Sequence, residues 1–183
     1  MIRTIRLHRG LNLPVSGTWA EGPAQTIPPP RSLGLVASDH TGLKPSLLVQ
    51  EGSHVQTGQP LWRDKRTDAV FVSPGTGIVR AINRGDRRRL LSVVIQTEGQ
   101  DSYPTPPFTA PLDAPGQSPE QLRDLLLASG LWPALLQRPF GITPPARETP
   151  AALFVNAMAS APHALPPFRI LRDHLPQIQA GLI

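Results

Sequence analysis

Lysine occurs at only two of 183 positions, Lys44 and Lys65, and the second stands where a lysine could do chemistry. It lies in "RDKRTD", between the glycine-bearing stretches "GQPL" (58–61) and "SPGTG" (73–77). Two such halves about a tight turn would expose one side chain at a hairpin tip. An amine there could carry a covalently attached arm that swings between sites. Its neighbours, however, are Arg63, Asp64 and Arg66 rather than small residues or methionine. A modifying enzyme would meet a dense set of charges, so the plainer expectation is a charged tip with Lys65 unmodified.

The other reactive side chains narrow the classes further. The chain has no cysteine, which excludes disulfides, thiolate zinc sites, cysteine-ligated iron–sulfur clusters and cysteine nucleophiles within it. Its histidines, at 8, 40, 54, 163 and 174, form no H-x-x-x-H or similar pair, so no metal site is expected. "RGDRRR" puts Arg84, Arg87, Arg88 and Arg89 within six residues. Such a cluster could grip phosphates of lipid or nucleic acid, or be a solvated turn partly neutralised by Asp86. Aromatic residues make up 5% of the chain, too few to interleave with the arginines as stacking partners, so no nucleic acid is expected.

Net charge is +5, moderately basic and carried almost wholly by arginine. "MIRTIRLHRG" lacks the apolar centre of a signal peptide, and no run approaches the roughly 20 apolar residues that span a bilayer. The expectation is a soluble or peripheral protein facing reducing cytoplasm.

These residues must be positioned by the elements around them. The 23 prolines cluster at 27–31, 103–115 and 143–150. The first hundred residues read as short strands punctuated by glycine turns: "TIRLHRGLNLPV", "SLLVQEG", "LWRDKRTDAVFV" and "GIVRAINRGDRRRLLSVVI". A β-rich module over 1–100, able to fold without the rest, is therefore expected. A proline-rich linker with a helical segment over 101–150 should follow. "SPEQLRDLLLASG" has Ser118 as N-cap, Pro119 at the first helical position, Gln121 at the capping-box position and Gly130 as its stop. "LWPALLQ" should form a shorter helix. Residues 151–183 read as the start of a truncated α/β domain, with "AALFVN" a buried parallel strand, "FRIL" a second strand and "DHLPQIQAGLI" a helix. The fold class is α+β.

Five stretches together resemble a known family. "HRGLNLPVSG" (8–17), "GQPLWRDKR" (58–66), "FVSPGTGIVRAINRGDRRRLLSVVIQTEG" (71–99), "RPF" (138–140) and "ALFVNAM" (152–158) are similar to the A subunit of the bacterial sodium-translocating NADH:quinone reductase. The resemblance implies a barrel-sandwich hybrid, the hammerhead shape of biotinyl and lipoyl domains, followed by the beginning of a Rossmann-like domain. It implies a peripheral subunit on the cytoplasmic face of the inner membrane, partnered by the other subunits. The whole complex uses NADH, flavins, an iron–sulfur centre and ubiquinone, and exports sodium. No cofactor is expected to be held by this chain, and no residue of it is expected to be catalytic.

Quinone contact is a further implication. In "LWPALLQRPF", Trp132, Arg138 and Phe140 combine an apolar slot with a donor for a quinone carbonyl, although ordinary helix–linker packing would use the same residues. The family's Asp and Asn-Pro near 159–162 are replaced by "MASAPHALPP", with Ala159 and Ala161. No G-x-G-x-x-G follows "AALFVN", so neither NADH nor flavin is expected to bind here. Two other classes stay open: a biotin or lipoate carrier attached at Lys65, and an electron-input subunit of the related Rnf-type complex. The latter would be expected to show clustered cysteines.

Overall fold

A computed structural model describes residues 15–17, 22, 28–99, 118–159, 161 and 163–180. Most of "TIRLHRGLNLPV" and the proline-rich stretch 100–117 lie outside the described residues. Among the described residues seven strands appear: β1 (Ser32–Val36), β2 (Pro45–Leu47), β3 (His54–Val55), β4 (Pro60–Asp64), β5 (Val70–Val72), β6 (Gly77–Arg84) and β7 (Leu90–Thr97). They form two antiparallel sheets, ordered β1-β7-β6-β3 and β2-β4-β5. Helices α1 (Pro119–Ala128), α2 (Phe168–Leu171) and α3 (Leu175–Ala180) follow.

Alternation along the strands builds the core. Val79 in β6 and Val93 and Ile95 in β7 point inward, whereas Ile78, Arg80, Leu91 and Gln96 stay exposed. From the smaller sheet come Leu61, Trp62 and Phe71, buried in the same cluster. Trp62 and Phe71 are cross-strand partners, and their rings stack at 5.4 Å. The "SPGTG" motif is a packing device. The buried Ser73 hydroxyl donates to the Gly75 carbonyl at 2.6 Å. A Cβ on Gly77 would sit 2.0 Å from the Gln96 carbonyl oxygen.

The described residues fall into two compact units, one within 27–151 and the other from residues before 27 and after 151. The first includes α1 and the segment after it. Ser118 and Gln121 form the expected reciprocal cap, with Pro119 at the first helical position. The helix ends in a Schellman motif: Gly130 N–H bonds to Leu127 O and Leu131 N–H to Leu126 O, with Gly130 at φ +72°. A Cβ at Gly130 would also lie 2.6 Å from the Val72 side chain, so the same glycine lets the helix end close onto β5.

Three local expectations are corrected. "LWPALLQ" makes one 3-10 turn, Trp132–Ala134, rather than a short α-helix. "AALFVN" forms no strand: 152–158 is irregular and exposed, with Phe154 91% accessible. A buried parallel strand needs neighbours on both sides, and no described strand pairs with this one. "FRIL" is helical, not extended. Pro166 and Pro167 fix the helical φ at its entrance, the Leu171 amide bonds to Pro167 O at 2.9 Å, and a 3-10 turn (Arg172–His174) leads into α3.

Candidate functional site

Lys65 begins the turn joining β4 to β5, and its side chain is exposed as expected. The turn itself is firmly held. Asp64, only 2% accessible, uses one carboxylate oxygen to accept from the Lys44 amide at 3.0 Å and the Arg66 amide at 3.2 Å. Its other oxygen accepts the Thr67 hydroxyl at 2.8 Å. Lys65 donates its own amide to Lys44 O at 2.9 Å, tying the residue to the start of β2. Arg66 lays its guanidinium over Gly42, 3.0–3.3 Å from where a Cβ would stand. The side chain capable of carrying an arm thus sits on a charged, cross-braced corner. An Asp three residues before a Thr at a strand end was the available signal for this lock.

A cleft of about 700 Å³ lies beside that corner, between the β4–β5 hairpin and α1. Its apolar wall is Val70, Leu127 and Ala146, and its charged rim includes Arg63, Asp68, Arg123 and Arg147. Arg147 approaches Asp68 at 3.9 Å. Glu120, also on the rim, has its carboxyl held below the usual value by its own backbone amide and by the Ser118 hydroxyl. Sequence reasoning missed this cleft, because nothing local announces that 63–70 and 120–128 face each other.

The segment 131–140 does not present its three singled-out residues together. Trp132 is 6% accessible, belongs to the main core, and donates its indole N–H to the Pro144 carbonyl at 2.8 Å. A large apolar ring whose one donor finds a backbone acceptor is most stable when buried. Arg138 and Phe140 lie beyond it in a turn closed by the Gln137–Ile142 bridge, and both are exposed, Phe140 by 77%. Among the described residues no group of three or more His, Asp or Glu side chains could hold a metal ion. His54 instead pairs with Glu98 at 3.2 Å on the surface. No described helix is long and apolar enough to cross a membrane.

Comparison with known proteins decides the family. Residues 5–98 match the NqrA N-terminal barrel-sandwich hybrid domain, and residues 117–183 match the NqrA second alpha/beta domain. The chain belongs to the NqrA family. It is 43% identical over 183 residues to the A subunit of the Na(+)-translocating NADH-quinone reductase of Serratia proteamaculans (strain 568). Proteins of the same name from Pseudomonas aeruginosa (strain UCBPP-PA14) and Klebsiella pneumoniae (strain 342) are each 40% identical. In all three the alignment covers 97% of this chain and 40% of the relative's length, so the chain spans well under half of these relatives. The NqrA match agrees with the two-sheet module described above and with the α+β class. It does not favour a biotin or lipoate carrier or an Rnf-type component.

Proposed function

We propose that this chain serves in a sodium-translocating NADH:quinone reductase as a peripheral, non-catalytic component, held at the cytoplasmic face of the membrane by the other subunits. The observation that carries this reading is the identity of 40–43% to NqrA proteins over 97% of the chain. In this reading NADH, flavins and the iron–sulfur centre are engaged elsewhere in the complex. The residues here suit none of them: there is no cysteine, and no glycine-rich turn follows 152–158. The chain's role is to present rigid surfaces for assembly. The braced Asp64 corner and the capped α1 against β5 are the kind of geometry such a role needs.

In the same reading, quinone contact belongs to the exposed turn after Trp132. There Arg138 supplies a donor and Phe140 an apolar face, while Trp132 anchors the turn from the core. Co-purification of the chain with the remaining subunits, co-expressed in a strain lacking its own NqrA, tests the assembly reading. Retention of the chain in the purified complex is expected, and its absence there would sink the reading. Calorimetric titration of the chain with NADH, FMN and a short-chain ubiquinone tests the rest, with micromolar nucleotide binding the contrary result.

A further inference from the structure

The turn joining β6 to β7 holds the densest run of positive charge in the sequence, four arginines in six residues, and the assembly role gives it nothing to do. Its backbone closes through Arg89 N–H to Asp86 O at 3.1 Å and Gly85 N–H to Arg89 O at 2.8 Å. Arg84, Arg87, Arg88 and Arg89 are all exposed. Among the described residues no carboxylate lies within ion-pair distance of any of the four, Asp86 included. Among the described residues the one side-chain bond they make is from Arg84 Nη1 to Arg88 O at 3.2 Å.

Two features argue against an idle turn. Arg87 (φ 54°, ψ 29°) and Arg88 (φ 60°) stand consecutively in the left-handed region, which glycine or asparagine would occupy at less cost. Four like charges crowded around the single carboxylate of Asp86, which pairs with none of them, also repel one another, and an anionic partner would relieve both the repulsion and the solvation demand. The turn is rigidly presented as well. It caps the two longest strands, β6 and β7, and Gly85 is fitted against Leu91.

We propose that the Arg84–Arg89 turn is a docking point for an anionic phospholipid surface, an inference that rests on the membrane-complex reading above. Three arginines carry no internal bond that fixes their guanidinium geometry, so they can adapt to a fluid array of phosphates rather than to one shaped partner. No aromatic residue lies in the turn to stack on bases, which argues against nucleic acid. Guanidinium groups bind phosphate through paired N–H donors, and each basic residue near an anionic leaflet adds to the attraction.

The test is co-sedimentation of the 183-residue chain with vesicles of phosphatidylcholine alone or mixed with phosphatidylglycerol. Preferential binding to the anionic vesicles is expected, and salt at about 1 M, where the Debye length is about 3 Å, should abolish it. R87E/R88E/R89E should weaken binding at least about tenfold, whereas R87K/R88K/R89K should keep it. Should the Glu variant fail to fold, R87G/R88G removes charge while relieving the left-handed positions and must also weaken binding. Equal binding to both vesicle types, undiminished binding by these charge-removing variants, or a preference for single-stranded RNA or polyglutamate over vesicles would each overturn the proposal. None of these results bears on whether the chain co-purifies with the other subunits, so the two readings fail separately.

Discussion

The Asp64 carboxylate accepts the Thr67 hydroxyl at 2.8 Å, and both residues are almost wholly buried at a tip where Arg63, Lys65 and Arg66 are exposed. One carboxylate therefore organises the whole corner, since it also takes the Lys44 and Arg66 amides. Asp64→Ala should leave those donors unsatisfied and cost about 3 kcal/mol, as hydrogen bonds to a charged acceptor are lost together. Denaturant unfolding should show a lower midpoint at unchanged slope. A loss under about 0.5 kcal/mol, typical of surface changes, would contradict the brace.

Gly77 allows β6 to approach the end of β7 more closely than any side chain permits. Because an added Cβ would lie 2.0 Å from the Gln96 carbonyl oxygen, Gly77→Ala must displace backbone. The expected cost is about 2–3 kcal/mol, the upper range for overpacking. Gly52→Ala is the internal contrast. Nothing lies near its Cβ position, so only the left-handed φ of +85° is penalised. Equal melting temperatures for the Gly77 variant and the unaltered chain would remove the packing argument.

The β module was largely legible because its signals are local. Alternating apolar residues fall where β6 and β7 stand, and Ser118, Pro119, Gln121 and Gly130 mark both ends of α1 through contacts a few residues apart. What was not legible depended on partners remote in sequence. "AALFVN" has the composition of a strand but no strand to pair with among the described residues. "FRIL" is β-compatible, yet the prolines before it set helical φ. Trp132 attracted a functional reading because sequence shows a tryptophan near an arginine and a phenylalanine, not that Pro144 takes its N–H. The cleft beside the β4–β5 hairpin needed tertiary contact to exist at all.

Trp132 and Phe140 should separate stability from binding. Trp132→Ala empties part of a core shared with both sheets and should cost about 3–5 kcal/mol. For the same reason, a chain cut near residue 100 should be less stable than one ending near 151. Phe140→Ala, at an exposed position, should change stability by less than about 0.5 kcal/mol. It should nevertheless weaken ubiquinone binding in calorimetry, as should Arg138→Ala. A large stability loss in the Phe140 variant would mean the turn is structural.

The His40 and Phe71 rings stand edge to face with their centroids 4.6 Å apart, and burial pushes the His40 pKa down, with Asp39 only partly opposing the effect. In the unfolded chain the same imidazole takes up a proton near pH 6.5. Below that pH the unfolded state therefore binds more protons than the folded one, so the stability His40 contributes is present above pH 6.5 and is lost as pH falls through its lowered folded value. His40→Leu removes the titration while keeping an apolar side chain over Phe71. Thermal midpoints measured from pH 7.5 to pH 5 should fall more steeply for the unaltered chain than for the variant. Parallel curves would show that protonation of His40 is not resisted by the fold.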